Sequence, residues 1–307
     1  MLPPRLALLL APVALLACSA NDAASGSGFG GGASSGSGAQ GGFGGVGAGG
    51  GSGGGLITEA GLPSCDTGQF VFLMTSDRQL LRFDPPALTF SVIGVLDCPA
   101  TFSPYSMAVD RGGTAWVHGQ LGGLARVDTT NAHCTTTNFA PNQQGFSNFG
   151  MGFATDALGS SAETLYVSGV TASGDARLGR IDLGSLALVP IGAYDSLAGR
   201  RAELTGTGDA RLFGAFEGQP YVVAEIERAS AHIASQVPAQ GVTSPPSGSN
   251  FAFAFWGGDF WLFVGPGSGT TVHRHRPSDS TTAPMVSTPY TVVGAGVSTC
   301  APLVPPS

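Results

Sequence analysis

The chain contains no lysine, and all 13 of its basic residues are arginines. This absence excludes catalysis through a Schiff-base lysine and the lysine of a phosphate-binding P-loop. Charged residues make up only 11% of the chain, and its formal net charge is -7. Because an acidic chain is poorly suited to the phosphate backbone of DNA or RNA, we expect no nucleic-acid partner.

A sustained helical period is also missing. From Leu56 onward, short alternating or apolar runs are separated by turns rich in Gly, Asp, Pro and Ser, which is typical of strands. The 49 glycines and 21 prolines suit a sheet protein with many tight turns. The same region has no Gly-x-Ser-x-Gly elbow that would supply a nucleophile. We predict an all-β protein and favour a binding protein over an enzyme.

The N-terminus has the pattern of a secretion signal. Met1 to Arg5 carries one positive charge, and the apolar run Leu6 to Leu16 that follows is too short to span a bilayer. The run ends in Leu15-Leu16-Ala17-Cys18, which resembles a bacterial lipobox. We predict that residues 1–17 are a signal peptide, that Cys18 is lipidated, and that the lipid anchors the protein in a membrane. Ser19 favours the outer membrane or the cell surface; the alternative is an ordinary signal peptide with an incidental cysteine.

Residues 18–55 are mostly Gly, Ser and Ala after the cysteine. Such a segment has too little apolar content to offset the entropy of ordering it. We predict a flexible, disordered tether over 18–55 and one folded domain over 56–307.

Two short patterns repeat through the folded region. The first is an arginine, an apolar residue and a carboxylate: Arg82-Phe83-Asp84, Arg126-Val127-Asp128 and Arg180-Ile181-Asp182, with the degenerate copy Glu225-Ile226-Glu227. The second is a strand that ends in aspartate, as in Met107-Ala108-Val109-Asp110. A repeat of about 45 to 55 residues is the length of a four-stranded propeller blade. We interpret the aspartates as residues that bind the backbone of the turns.

The repeats predict a β-propeller of five four-stranded blades. The blades cover roughly 68–99, 105–138, 148–195, 202–240 and 250–290. The first has only three strands, and the C-terminal run Val292 to Val297 is the candidate for its missing innermost strand. Joining the chain ends in one blade closes the ring, which protects strand edges from aggregation.

Four cysteines remain after Cys18: Cys65, Cys98, Cys134 and Cys300. They allow three pairings. The five-blade arrangement favours Cys65 with Cys300 and Cys98 with Cys134, and free or differently paired thiols are the alternative. No two cysteines lie within four residues of each other, unlike a zinc site, and we expect neither a metal nor a cofactor.

These features together resemble a group of secreted bacterial lipoproteins with a β-propeller domain. The resemblance rests on the lipobox, the glycine-rich tether, Leu-Arg-Phe-Asp-Pro at 81–85, Met-Ala-Val-Asp at 107–110 and Gly-Ala-Gly-Val-Ser-Thr-Cys at 294–300. It covers most of residues 65–302 and implies the fold and a location in the cell envelope. The group brings no known activity. Glu227 and Arg276-Pro277 depart from the repeated carboxylate pattern.

A ligand site is predicted where the chain enters the innermost strands, because these loops meet at one mouth of a propeller. The candidate residues combine aromatic rings, amides and one carboxylate: Tyr105, Asn148, Phe149, Glu203, Asn250 and Tyr290. Such a set is suited to a sugar or a peptide. The alternative is that the same residues pack one blade against the next.

Three functions follow as hypotheses. The leading one is a monomeric, tethered, non-enzymatic propeller that binds a protein, a peptide or a glycan. The second is an extracellular carbohydrate-active hydrolase or lyase that uses Glu203, which requires another carboxylate within about 10 Å. The third is a structural spacer of the envelope, which predicts a smooth, polar face around the channel.

Overall fold

The computed structural model describes residues 66–171, 173–244 and 250–306. These residues form five four-stranded antiparallel sheets arranged as the blades of a propeller, which confirms the predicted fold class. Two short 3-10 helices, Asp66–Gln69 and Gln143–Gly145, accompany them. No helix in the described ranges is long and apolar enough to cross a membrane.

Twenty strands build the blades in chain order. Blade 1 contains β1 (Val71–Thr75), β2 (Gln79–Asp84), β3 (Thr89–Val95) and the last strand, β20 (Val292–Gly296). Blade 2 contains β4 (Pro104–Val109), β5 (Thr114–Gly119), β6 (Leu124–Asp128) and β7 (Cys134–Thr136). Blade 3 contains β8 (Phe149–Thr155), β9 (Glu163–Val170), β10 (Ala176–Asp182) and β11 (Ala187–Ala193). Blade 4 contains β12 (Ala202–Gly206), β13 (Leu212–Phe216), β14 (Tyr221–Ile226) and β15 (Ile233–Ala239), and blade 5 contains β16 (Asn250–Trp256), β17 (Asp259–Gly265), β18 (Thr270–Arg276) and β19 (Thr281–Thr288).

The C-terminal strand closes the ring as predicted. β20 pairs with β1 in antiparallel register, with Gly296 opposite Phe72 and Ala295 opposite Leu73. Without β20, the inner edge of β1 would present unpaired N–H and C=O groups. The first blade is therefore assembled from both ends of the folded region.

The five innermost strands contact one another around the axis in the order β20, β4, β8, β12 and β16. Apart from Tyr105 and Asn250, which lie at the start of their strands, every residue of these five strands is buried. Successive side chains of a strand point to opposite faces, so a water-filled channel would expose alternate residues. The axis of the ring is therefore closed.

Glycines permit this close packing. A Cβ atom on Gly150 of β8 would lie 2.1 Å from the carbonyl oxygen of Ala202, and one on Gly206 of β12 would lie 2.2 Å from that of Phe153. Any larger residue would push the two strands apart. The glycines therefore let the innermost strands approach closely enough to close the channel.

Aromatic side chains fill the space between blades. Phe83 of blade 1 contacts Trp261 and Phe263 of blade 5 edge-on, with ring centroids 5.5 Å apart in both pairs. Edge-to-face geometry places the positive edge of one ring against the negative face of another. These contacts hold blades 1 and 5 together where the chain ends meet.

The aspartates of the first repeat, Asp84, Asp128 and Asp182, stabilise turns, as the sequence predicted. Each accepts a hydrogen bond from a backbone N–H shortly after it: Ala87 to Asp84 at 3.1 Å, Thr130 to Asp128 at 2.8 Å, and Ser185 to Asp182 at 2.7 Å. They serve the turn backbone and lie away from the mouth of the ring.

Blades 1 and 2 are joined by a disulfide and a carboxylate. Cys98 and Cys134 form the predicted bond. Next to it, Asp97 binds Nδ1 of His133 at 2.7 Å and accepts the N–H of Cys134 at 2.6 Å. Cys300 also takes part in a disulfide, but its predicted partner Cys65 lies outside the described residues, so this pairing stays a prediction.

Blades 3 and 4 repeat the carboxylate contact without the disulfide. Asp195 binds Nδ1 of His232 and accepts the N–H of Ile233. The position of Cys98 after the aspartate is taken here by Ser196. An Asp–His contact thus joins neighbouring blades at two places in the ring. Between blades 1 and 2 the Cys98–Cys134 disulfide is added to it.

The predicted signal peptide, the lipidation site Cys18 and the tether lie outside the described residues.

Candidate functional site

A cavity of about 370 Å³ lies where the innermost strands begin. We call it the mouth cavity; its lining residues are Pro104, Tyr105, Gln120, Leu121, Asn148, Arg201, Glu203, Asn250, Phe251 and Val293. An adjoining cavity of about 310 Å³ shares five of them and extends toward Ser168. This volume falls within the range of small-molecule sites.

Four of the six predicted site residues meet in the mouth cavity: Tyr105, Asn148, Glu203 and Asn250. They come from blades 2, 3, 4 and 5, at or beside the first residues of the innermost strands. Because these strands all run away from the same end of the ring, their first residues converge.

Phe149 and Tyr290 do not line the mouth cavity. Phe149 is 1% exposed and stacks on His118 of the neighbouring blade, with ring centroids 3.8 Å apart. Tyr290 is half-buried and packs beside Phe90, with centroids 6.5 Å apart. These two residues follow the alternative interpretation, in which aromatic side chains pack blade against blade.

Arg201 lies in the mouth cavity, whereas from the sequence Arg200-Arg201 is interpreted as a solvated turn, with an anion site as the alternative. Its Nη2 and Nε atoms contact Oε2 of Glu217 at 2.7 and 2.8 Å, and its guanidinium lies 5.4 Å from the centre of the Phe251 ring. It also donates a hydrogen bond to the Tyr105 hydroxyl. One signal was available: Arg201 precedes Glu203 by two residues, and such residues share one face of a strand.

The charges around Tyr105 have defined effects on its pKa and on that of Arg201. Burial raises the pKa of Tyr105, which the charge of Arg201 partly opposes and the charge of Glu203 reinforces. For Arg201, burial acts to lower the pKa, but the nearby Tyr105 and Glu217 outweigh it and the pKa is raised. Arg201 is therefore a permanent cation paired with Glu217.

Glu203 forms part of the floor of the mouth cavity. It is 4% exposed, and its Oε2 accepts a hydrogen bond of 2.6 Å from the hydroxyl of Ser106. The Ser106 oxygen in turn accepts the N–H of Met151 at 3.1 Å. Ser106 lies in β4 of blade 2 and Glu203 in β12 of blade 4, so the bond crosses the axis past blade 3.

Burial raises the pKa of Glu203 to about 8, although the hydrogen bond from Ser106 and the charge of Arg201 act to lower it. A carboxyl with this pKa is mostly protonated at neutral pH. The floor of the cavity is then uncharged but still offers a hydrogen-bonding group.

His118 supports the wall behind Tyr105. It is fully buried between the ring of Phe149 and the edge of Tyr105, whose centroid lies 5.9 Å away at 87°. Burial lowers the pKa of His118 to about 4, and the nearby polar groups of Ser147 and Asn148 offset only part of this effect. A neutral imidazole therefore fixes the position of Tyr105.

Asn148 presents mainly an acceptor. In the amide orientation that satisfies its neighbours, its nitrogen donates to the carbonyl oxygens of Gln120 at 3.1 Å and Ser147 at 3.2 Å. The amide oxygen is then the group left for a ligand.

A larger cavity of about 570 Å³ lies at the opposite end of the ring, between blades 1 and 5. Its walls include Trp256, Trp261, Met285 and the C-terminal residues 303–306. Its arginine Arg274 faces Asp259 at 3.8 Å. We regard the mouth cavity as the better candidate, because hydrogen-bonding side chains from four blades converge there on a buried carboxyl.

Comparison with known proteins supports no closer assignment. No protein-family model matches the chain, and no curated protein matches it. Among solved structures, TolB from Acinetobacter baumannii is 13% identical with a TM-score of 0.44, over 75% of this chain and 55% of that chain. A chain of the mitotic checkpoint complex is 12% identical with a TM-score of 0.42, over 76% of this chain and 79% of that chain. An engineered GH43 glycoside hydrolase is 14% identical with a TM-score of 0.43, over 62% of this chain and 43% of that chain. These similarities are distant, and nothing about function is inferred from them.

Proposed function

We propose that this protein is a surface-tethered binding propeller that holds a glycan in its mouth cavity without modifying it. One observation carries the proposal: Tyr105, Asn148 and Asn250 converge, with Arg201, over a buried carboxyl that is itself hydrogen-bonded to Ser106. A concave site with a few convergent polar groups is the usual form of a small-ligand site.

The chemistry of the lining matches the hydroxyl groups of a sugar. Sugar hydroxyls donate and accept, and the cavity offers an acceptor on Asn148, the amides of Gln120 and Asn250, and the Tyr105 hydroxyl. The rings of Tyr105 and Phe251 supply flat apolar surface against which the face of a sugar ring can pack.

The charge balance favours a neutral ligand. Arg201 is paired with Glu217, and Glu203 is mostly protonated below a pKa of about 8. These three groups together carry almost no net charge at neutral pH. An anionic ligand would compete with Glu217 for Arg201, whereas a neutral sugar leaves that pair intact.

Both carboxyl groups near the cavity already have partners, which supports binding over catalysis. Glu203 accepts from Ser106 at 2.6 Å, and Glu217 is held by Arg201 and by the Ser244 hydroxyl at 3.1 Å. A general acid or base must be free to exchange a proton with the substrate. The concave mouth also differs from the smooth face that a spacer would need.

The test is a glycan array probed with the purified chain, followed by titration calorimetry with the glycans that bind. Tyr105→Phe should weaken binding about fivefold, because one hydrogen bond is worth about 1 kcal/mol. Tyr290→Phe loses the same hydroxyl outside the cavity and should bind as the parent does. Equal effects of the two variants, or an array without binding, would overturn the proposal.

A carbohydrate-active hydrolase is the second candidate, and one observation favours it. Glu203 has the raised pKa of a general acid, and Arg201, whose charge acts on it, also binds the carboxylate of Glu217. The bound glycans should be incubated with the protein and assayed for new reducing ends. We expect none; release that disappears in Glu203→Gln would replace the binding proposal with the hydrolase.

Tethering is part of the proposal and rests on the sequence. Signal residues 1–17, lipidated Cys18 and the glycine-rich segment to residue 55 would hold the propeller at the outer membrane or cell surface. Growth with an alkyne-bearing fatty acid should label the parent and not Cys18→Ser, and only the parent should partition into detergent. Label that persists in Cys18→Ser would refute lipidation at this residue.

A further inference from the structure

We infer that the mouth cavity is a blind pocket that receives the terminal residue of a glycan end-on and cannot accommodate an internal stretch. This inference rests on the proposed function and specifies the part of the glycan that is recognised.

The floor of the pocket is built from three blades. The Ser106 hydroxyl of blade 2 donates to Glu203 of blade 4 at 2.6 Å, and Met151 of blade 3 donates its N–H to the Ser106 oxygen at 3.1 Å. Ser106 is 0% and Glu203 4% exposed. These bonds cross the axis immediately below the cavity, so a ligand chain cannot continue past them.

The ring stays closed beneath this floor. The Thr205 hydroxyl of blade 4 accepts the N–H of Phe255 of blade 5 at 3.0 Å. A Cβ atom on Gly152 would lie 2.7 Å from the backbone carbon of Leu204. Met107 is fully buried at the same depth. Strands in such contact leave no passage for a polymer or for water.

Apart from Gln120, which is exposed beside the rim, the groups that would recognise a sugar lie inside the pocket. Leu121 is 78% exposed and marks the rim, whereas Phe251 is 6% and Glu203 4% exposed. A glycan lying across the rim would contact Leu121 and leave the carboxyl at the floor unreached. A chain end can enter the mouth cavity of about 370 Å³ and the adjoining cavity of about 310 Å³ as far as this floor, and each volume is near the lower limit for small-molecule sites.

The consequence is a dependence on chain ends. Binding should require the terminal residue to be free, and a polymer should bind in proportion to its number of ends. Extending or capping the terminal sugar adds volume where the floor allows none.

The experiment uses the full mature chain in detergent and an array of paired oligosaccharides. The members of each pair differ only in whether the terminal sugar is free or carries one further sugar. We expect every glycan that binds to lose at least tenfold in affinity when it is extended. The rim variant Leu121→Ala tests the other geometry: a glycan that lies across the rim should lose affinity in it, whereas one that enters end-on should lose less than it loses on extension.

The outcomes separate the two proposals. Binding that survives extension and is lost in Leu121→Ala means that the glycan lies across the rim, which overturns end-on recognition and leaves glycan binding in place. End-on recognition is also overturned if both members of each pair bind and Leu121→Ala binds them as the parent does. If no glycan binds at all, the proposed function itself is wrong and this inference falls with it.

Discussion

The two ends of the ring axis each contain a glutamate that joins blades, and the two glutamates are held differently. At the mouth, Glu203 of blade 4 receives the Ser106 hydroxyl of blade 2. At the opposite end, Glu163 of blade 3 accepts the N–H of Arg111 from blade 2 at 2.6 Å. Its other oxygen accepts the hydroxyl of Thr299, just after the closing strand of blade 1, at 2.8 Å.

The difference lies in how deeply each carboxyl is buried. Glu163 is half-buried, with the N–H of Arg111 and the Thr299 hydroxyl as its donors, while Glu203 is almost fully buried, with the Ser106 hydroxyl and the N–H of Met151 as its donors. Burial raises the pKa of both groups, and at Glu163 the bonds from Arg111 and Thr299 oppose it. Glu163 therefore acts as a clasp for the end of the chain, and Glu203 as an uncharged floor for the pocket.

The largest expected effect is the pH dependence of stability at the mouth. The pKa of Glu203 rises from 4.5 to about 8 on folding, so the folded protein holds a proton that the unfolded chain releases. Stability is then complete below pH 4.5 and falls as the pH rises to about 8, by on the order of 4 kcal/mol. Glu203→Gln should remove this fall, which urea unfolding of parent and variant at pH 5 and pH 8 will measure. If the free energy of unfolding depends on pH in the same way in the parent and in Glu203→Gln, Glu203 is ionised in the folded protein.

A smaller effect comes from removing one hydroxyl at each end. Ser106→Ala should cost about 2 kcal/mol, because both the buried Glu203 and the N–H of Met151 lose a partner. Thr299→Val keeps the side-chain shape and leaves Glu163 its bond from Arg111, so about 1 kcal/mol is expected. Urea unfolding at pH 7 measures the loss of stability in each variant. A larger loss in Thr299→Val than in Ser106→Ala would contradict the roles assigned to Glu163 and Glu203.

The sequence was sufficient for the fold because the signals of a propeller are local. The alternation of apolar and polar residues indicates the strands, and the aspartates indicate the turns. The number of blade-length repeats gives the number of sheets. The closing strand could be predicted because the first blade lacked a strand and Val292 to Val297 had no blade of its own. Each of these signals follows from the two-residue period of a strand and from turn chemistry.

The site was predicted only in part because side-chain direction depends on register. Tyr105 lies at a register shift between Pro104 and Ser106, and such a bulge redirects a side chain. Phe149 pairs regularly with Gly169 and points between blades. Both residues begin an innermost strand, and nothing in the sequence distinguishes the irregular strand from the regular one.

The smallest expected effect is the pH dependence at the clasp. Because the pKa of Glu163 is raised, the parent should again lose stability as the pH rises above the ordinary glutamate range, and Glu163→Gln should reduce that loss. The change should be smaller than at Glu203, since Glu163 is only half-buried and loses less of its hydration on folding.

Urea unfolding of Glu163→Gln, Glu203→Gln and the double variant across pH 4.5 to 8 gives this comparison directly. The glutamates lie at opposite ends of the axis and share no hydrogen-bond partner, so their effects should add within about 0.5 kcal/mol. A larger change at Glu163 than at Glu203 would mean that the clasp is the more desolvated end. If the change at Glu203 is also close to zero, Glu203 is ionised at neutral pH, and the mouth cavity carries a negative charge that contradicts the proposal of an uncharged floor.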